Sequence, residues 1–277
     1  MYFRNRVLFL LFTLSLIPIS FSIAQQSRDN FGKNRVQFKE FNWRFFSTEN
    51  FDIYFYDDGQ VNARQAADFL EDEFDRITDL LGYAPYAKTK IFLYNSVTDL
   101  QQSNVGLNEN NFTIGGQTNF VKLQVELAYP GTVTSFKDEL LFKVSQILIR
   151  DMMFGGSLTD VLQNTYLMSL PKWFIDGAAL YIAKGWSIEM DDHMRDLISR
   201  KKIRKMNKLT GTDADLAGQS VWNFISERYG KSNISNILNL TRIIRNEENS
   251  VSNTLGIPFR LFLSDWQNYY REMAEQV

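Results

Sequence analysis

The chain has no cysteine among its 277 residues and a single histidine, His193. The first absence excludes disulfide staples, a cysteine nucleophile and attachment through a lipidated N-terminal cysteine. The second excludes a zinc centre of the usual catalytic kind, which takes three protein ligands, mostly imidazoles, and keeps a fourth position open for water. Ser-His-Asp chemistry would have to run through His193, and no G-x-S-x-G elbow is present. Phosphate loops and dinucleotide fingerprints are missing too, since Gly115-Gly116 is an isolated pair in a turn-like stretch rich in Asn and Gly. A basic excess is missing: the formal balance is −2, mildly acidic, which argues against nucleic acid as a general partner. None of these patterns calls for a cofactor.

What is present begins with an address. Arg4 and Arg6 form a short basic n-region, Val7 to Phe21 an apolar run, and Ser22-Ile23-Ala24 a small-residue cleavage site before Gln25. The apolar run is about 15 residues, short of the roughly 20 that span a bilayer as a helix. Residues 1–24 are therefore expected to be a signal peptide, and the destination the periplasm or the outer membrane. Removing the two arginines takes the formal charge from −2 to −4. No later run is long and apolar enough to cross a membrane. Aromatic residues make up 14% of the chain, which supplies a substantial core and excludes a disordered chain.

Residues 25–40 are polar and basic, a flexible lead-in, and 41–277 are expected to form one domain. In Trp43 to Tyr56, Phe51, Ile53 and Phe55 alternate with Asp52, Tyr54 and Tyr56, the pattern of a half-buried strand. Ala66, Phe69, Leu70, Phe74, Ile77 and Leu81 fall at helical spacing over 63–81, with Gly82 as the stop. Further strands are expected at 90–94 and 120–127. Beyond Pro130-Gly131 the pattern turns helical, over about 134–154, 171–184, 189–206, 213–229, 231–246 and 258–275. A sheet-rich part (41–130) followed by a helical lobe (131–277) is an α+β layout.

One block is more specific. Leu170-Pro-Lys-Trp-Phe-Ile-Asp-Gly-Ala-Ala-Leu-Tyr181, preceded by the apolar helix Phe136 to Met152, resembles the gluzincin (peptidase MA-like) domain. In that family an H-E-x-x-H helix is followed by L-P-x-W-x-x-E-G-x-A-x-Y. The resemblance extends at pattern level over roughly Phe41 to Tyr270. It implies a small mixed sheet with a helix, followed by a thermolysin-like helical lobe. Two histidines and a later glutamate would hold zinc there, and the intervening glutamate would serve as general base. Carried onto this chain with Asp151-Met152 as anchor, the histidine positions hold Phe142 and Gln146, the base position Lys143 and the third-ligand position Asp176. The other register, Asp138-Glu139-Leu-Leu-Phe142, keeps the glutamate but again lacks both histidines.

What the resemblance implies is a peptidase shape without its metal: a pseudopeptidase acting as a protein- or peptide-binding or scaffold module of a bacterial cell envelope. In Bacteroidota-like envelope proteins such domains often precede a Tol-type β-propeller. No propeller repeat occurs here, so a fragment and a stand-alone form are both open. Two alternatives remain: a hydrolase using Asp176 with another acid, and a purely structural subunit of an envelope or secretion assembly. Trp173, Tyr181 and Trp186 read as core, and Gly177 as a point of close helix packing. Glu189, Asp191, Asp192, His193 and Asp196 read as a solvated helix start rather than a cation cluster. The one basic run, with Arg200, Lys201, Lys202, Arg204 and Lys205, is a candidate partner-binding face.

Overall fold

A computed structural model describes residues 39–103, 123–154, 170–200, 203 and 209–275, all within one contact unit, Arg35–Val277. The expected signal peptide (1–24), nearly all of the expected lead-in and most of the basic run lie outside the described residues. The layout is α+β, with a four-stranded mixed sheet on the N-terminal side followed by helices. No helix among the described residues is long and apolar enough to cross a membrane.

The sheet order is β1 (Arg44–Ser47), β2 (Phe51–Phe55), β3 (Thr89–Tyr94), β4 (Gln124–Ala128). β1 is antiparallel to β2, whereas β2, β3 and β4 run parallel. The stretch expected to form one strand is thus a hairpin. Thr48 N–H donates to Phe51 O at 2.8 Å to close the turn, and Glu71 accepts from the backbone and side chain of Asn50. α1 (Gln60–Leu81) carries the chain from β2 to β3. Its buried stripe contains Ala63, Ala66 and Ala67, small enough for the helix to settle onto Phe51, Ile53, Phe55, Ile91 and Leu93. It ends as Gly82 turns left-handed (φ 61°), so that the amides of Gly82 and Tyr83 reach Asp79 O and Thr78 O.

Tyr56 departs from the expected alternation. It continues the outward-facing row yet is fully buried, because Phe41 and Trp43 fold over that face beside Tyr94. Its hydroxyl donates to Asp99 at 2.5 Å and accepts from Asn95 N–H at 2.9 Å, which supplies the partners a buried phenol needs. Asp99 lies on α2 (Val97–Gln102), a one-and-a-half-turn helix that the periodicity did not reveal.

The helical lobe comprises α3 (Val133–Phe154), α4 (Lys172–Lys184), α5 (Ile188–Ser199), α6 (Gly211–Tyr229), α7 (Ser232–Ile244), α8 (Glu247–Leu255) and α9 (Phe259–Glu275). The helix expected over 189–206 ends at Ser199 as described; within 201–208 only Ile203 is described. α4 is buried nearly all round, as a helix without a polar face must be. It crosses α6 backbone to backbone. A Cβ on Gly177 would sit 2.4 Å from Gly218 C, and one on Gly218 would sit 2.2 Å from Trp173 O. Buried polar bonds stitch the rest: Trp222 Nε1 to Phe174 O (3.0 Å), Trp266 Nε1 to Ser220 Oγ (3.1 Å) and Tyr270 OH to Ser220 O (3.0 Å). Phe262, Trp266 and Tyr270, four residues apart, form the buried stripe of α9.

Candidate functional site

Two of the four positions carried over from the resemblance meet, Gln146 and Asp176. Gln146 on α3 and Asp176 on α4, 30 residues apart, are joined by a 2.6 Å bond from Gln146 Nε2 to Asp176 Oδ1. Local sequence accounts for the approach. Leu140, Leu141, Val144, Leu148 and Met152 bury the core face of α3, leaving Phe142, Lys143 and Gln146 half-buried. α4 packs against α3 on one side and, through Gly177, against Gly218 of α6 on another, and Asp176 is left only 7% exposed.

A carboxylate that buried needs a charged or hydrogen-bonding partner, and two are at hand. Gln146 is one. The other is Lys172, one turn earlier on α4, whose Nζ lies 3.6 Å from Asp176 and 2.7 Å from Asp215 on α6. Asp215 holds the Lys172 ammonium above the ordinary lysine range, chiefly through that hydrogen bond, and Asp176 adds to the effect. Gln146, Asp176, Lys172 and Asp215 thus form one polar chain across three helices.

The remaining carried-over positions carry no ligand chemistry. Phe142 packs against the core, and the Lys143 ammonium stands 5.9 Å from the centroid of its ring. Lys143 puts an amine where the family's general base is a carboxylate. The donor set does not fit catalytic zinc. Two of the three ligand positions hold a phenyl ring and a carboxamide whose NH2 already faces the remaining carboxylate. Asp151, the register's anchor, is buried away from this chain of contacts and accepts a hydrogen bond from Tyr83 OH. Burial pushes its carboxyl above the usual aspartate range, with the Tyr83 bond pulling the other way.

No family model matches the chain, and no curated protein matches it.

Three of the acidic residues around His193 have local partners. Asp191 accepts from Trp186 Nε1 at 2.8 Å, Asp192 pairs with Arg195 and Asp196 with Arg200. His193 itself lies 4.0 Å from Asp213, at the start of α6. Arg200 is exposed; Lys201, Lys202, Arg204 and Lys205 lie outside the described residues. An open recess of about 400 Å³ lies elsewhere, between α1, α4 and the start of α7, with Arg76, Tyr181 and Lys231 on its walls. Trp173 and Tyr181 are core, and Trp186 is half-buried against Tyr270. Gly177 packs as expected. The residue that sequence reasoning missed is Lys172: its i,i+4 spacing to Asp176 was visible, but nothing signalled Asp215, 43 residues on.

Proposed function

We propose that the chain is an exported, catalytically inactive relative of the gluzincin peptidases. Its helical lobe serves as a protein- or peptide-binding or scaffold module in a bacterial cell envelope. The observation that supports this most is the bond between Gln146 and Asp176. In the resemblance these two positions both belong to the metal's ligand set, and the bond joins them across two helices. Their chemistry supports loss of catalysis: a carboxamide, a phenyl ring and an ammonium stand where imidazoles and a base are needed.

The hydrolase alternative asks for two carboxylates sharing a proton or flanking a bond. Asp215 does join Asp176, but through the ammonium of Lys172, which is an ion-pair partner of both. That geometry favours the binding reading.

The test uses the full chain, exported with its own leader. It is offered a library of random decapeptides on beads, with and without added zinc, and the bound peptides are identified by mass spectrometry. Selective retention of intact sequences is the expected result. Zinc-dependent cleavage that disappears in Asp176→Asn would overturn the proposal.

A further inference from the structure

The resemblance implies a metal, and the residues present do not fit one. The disagreement is more than a set of missing ligands. A metal ion in such a lobe does structural work as well as chemical work, because it holds together ligands from different helices, two imidazoles and one carboxylate in that family. When the ligands are lost, the carboxylate that remains becomes an uncompensated buried charge, costly unless a new counter-charge appears. Asp176 is that carboxylate, at 7% exposure. The cation within reach is Lys172, 3.6 Å from Asp176 and 2.7 Å from Asp215, while Gln146 Nε2 completes the contact to α3 at 2.6 Å.

We propose that the Lys172 ammonium has taken over the electrostatic place of the metal. It is a built-in cation that ties α4 to α6 and leaves Asp176 available to hold α3 through Gln146. This rests on the gluzincin reading above. Two features argue for substitution over an incidental surface pair. Lys172 bridges two carboxylates from different helices, whereas an ordinary exposed i,i+4 pair joins one helix to itself. The three helices it serves are also those whose packing the Gly177–Gly218 crossing and the Gln146 bond fix, so a lost counter-charge would be felt across the lobe.

The substitution has a directional consequence for metals. An ammonium 3.6 Å from a potential ligand competes with a divalent ion for that carboxylate and repels it. Removing Lys172 should therefore weaken the metal-free fold and strengthen metal binding in a chain given its ligands back.

The experiment has two arms. In the first, urea midpoints are compared for the wild type, Lys172→Met, Lys172→Arg, Asp215→Asn and the Lys172→Met/Asp215→Asn pair. Lys172→Met should lower the midpoint and Lys172→Arg should largely preserve it. The double variant should lose less than the two single losses together. A Lys172→Met chain as stable as the wild type would overturn the inference. In the second arm, Phe142→His, Lys143→Glu, Gln146→His and Asp176→Glu are combined, with and without Lys172→Met, and titrated with zinc alone. The expected result is zinc binding in both, tighter by about tenfold or more without the lysine. Equal zinc affinity in the two backgrounds would refute the role of Lys172 while leaving the gluzincin reading intact. A folded chain that binds no zinc in either background would refute the reading, and the inference with it.

Discussion

The crossing of α4 over α6 turns on two glycines, and Gly218→Ala is its sharpest probe. On propensity alone an alanine inside a helix stabilises it by about 1 kcal/mol over glycine. Here the added Cβ would lie 2.2 Å from Trp173 O and 2.8 Å from Trp173 Cα, and all of the nearest atoms are backbone. No rotamer change relieves such a contact, so the helices must part by about 1 Å to reach ordinary van der Waals distance. Overpacking a well-filled core costs about 1–3 kcal/mol, and more where only backbone can move. Set against the propensity gain, the net expectation is a loss of about 2 kcal/mol, a large share of the ~5–15 kcal/mol that holds a domain together. Equilibrium urea unfolding measures it, with an unchanged slope as evidence that the folded and unfolded states are otherwise the same. Gly177→Ala should behave alike, and the double variant should cost less than both together, because one separation accommodates both methyl groups. A neutral or stabilised Gly218→Ala chain would refute the close crossing.

Tyr270→Phe should cost about 1–3 kcal/mol in the same assay, since it strips a partner from the buried Asn223 amide and from Ser220 O; a loss near zero would count against that network. Asp151 gives a pH signature. Its folded carboxyl is pushed up by burial, so the native state binds that proton more tightly than the unfolded chain does. The stability this group contributes is thus present below the ordinary aspartate value of about 3.9 and is lost as pH rises through the raised native value. Asp151→Asn should gain on the wild type across that window, and parallel stability–pH curves for the two would refute the assignment.

Much of the framework was legible because it obeys simple periodicities. β2 alternates over Phe51, Ile53 and Phe55, and α1 keeps its stripe until Gly82. The short elements escaped for physical reasons. α8 offers only Val251 and Leu255 as apolar residues, so its sequence carries almost no helical stripe; the readable signal was Asn246, which caps it by accepting from Asn249 N–H at 2.7 Å. Tyr56 broke the inside–outside rule because its burial comes from Phe41 and Trp43, residues that local alternation cannot place. At the candidate site the residue positions came from the resemblance. That Gln146 reaches Asp176 depends on how far α3 and α4 approach, and Asp215 enters from a third helix. Such meetings are set by tertiary packing among three helices, and local spacing does not encode them.

The most direct test of the pseudopeptidase account is the metal content of the full chain, purified from its native cells without chelators and measured by inductively coupled plasma mass spectrometry. The account predicts no more than traces of zinc, unchanged after dialysis against added zinc. One tightly held zinc per chain would contradict it.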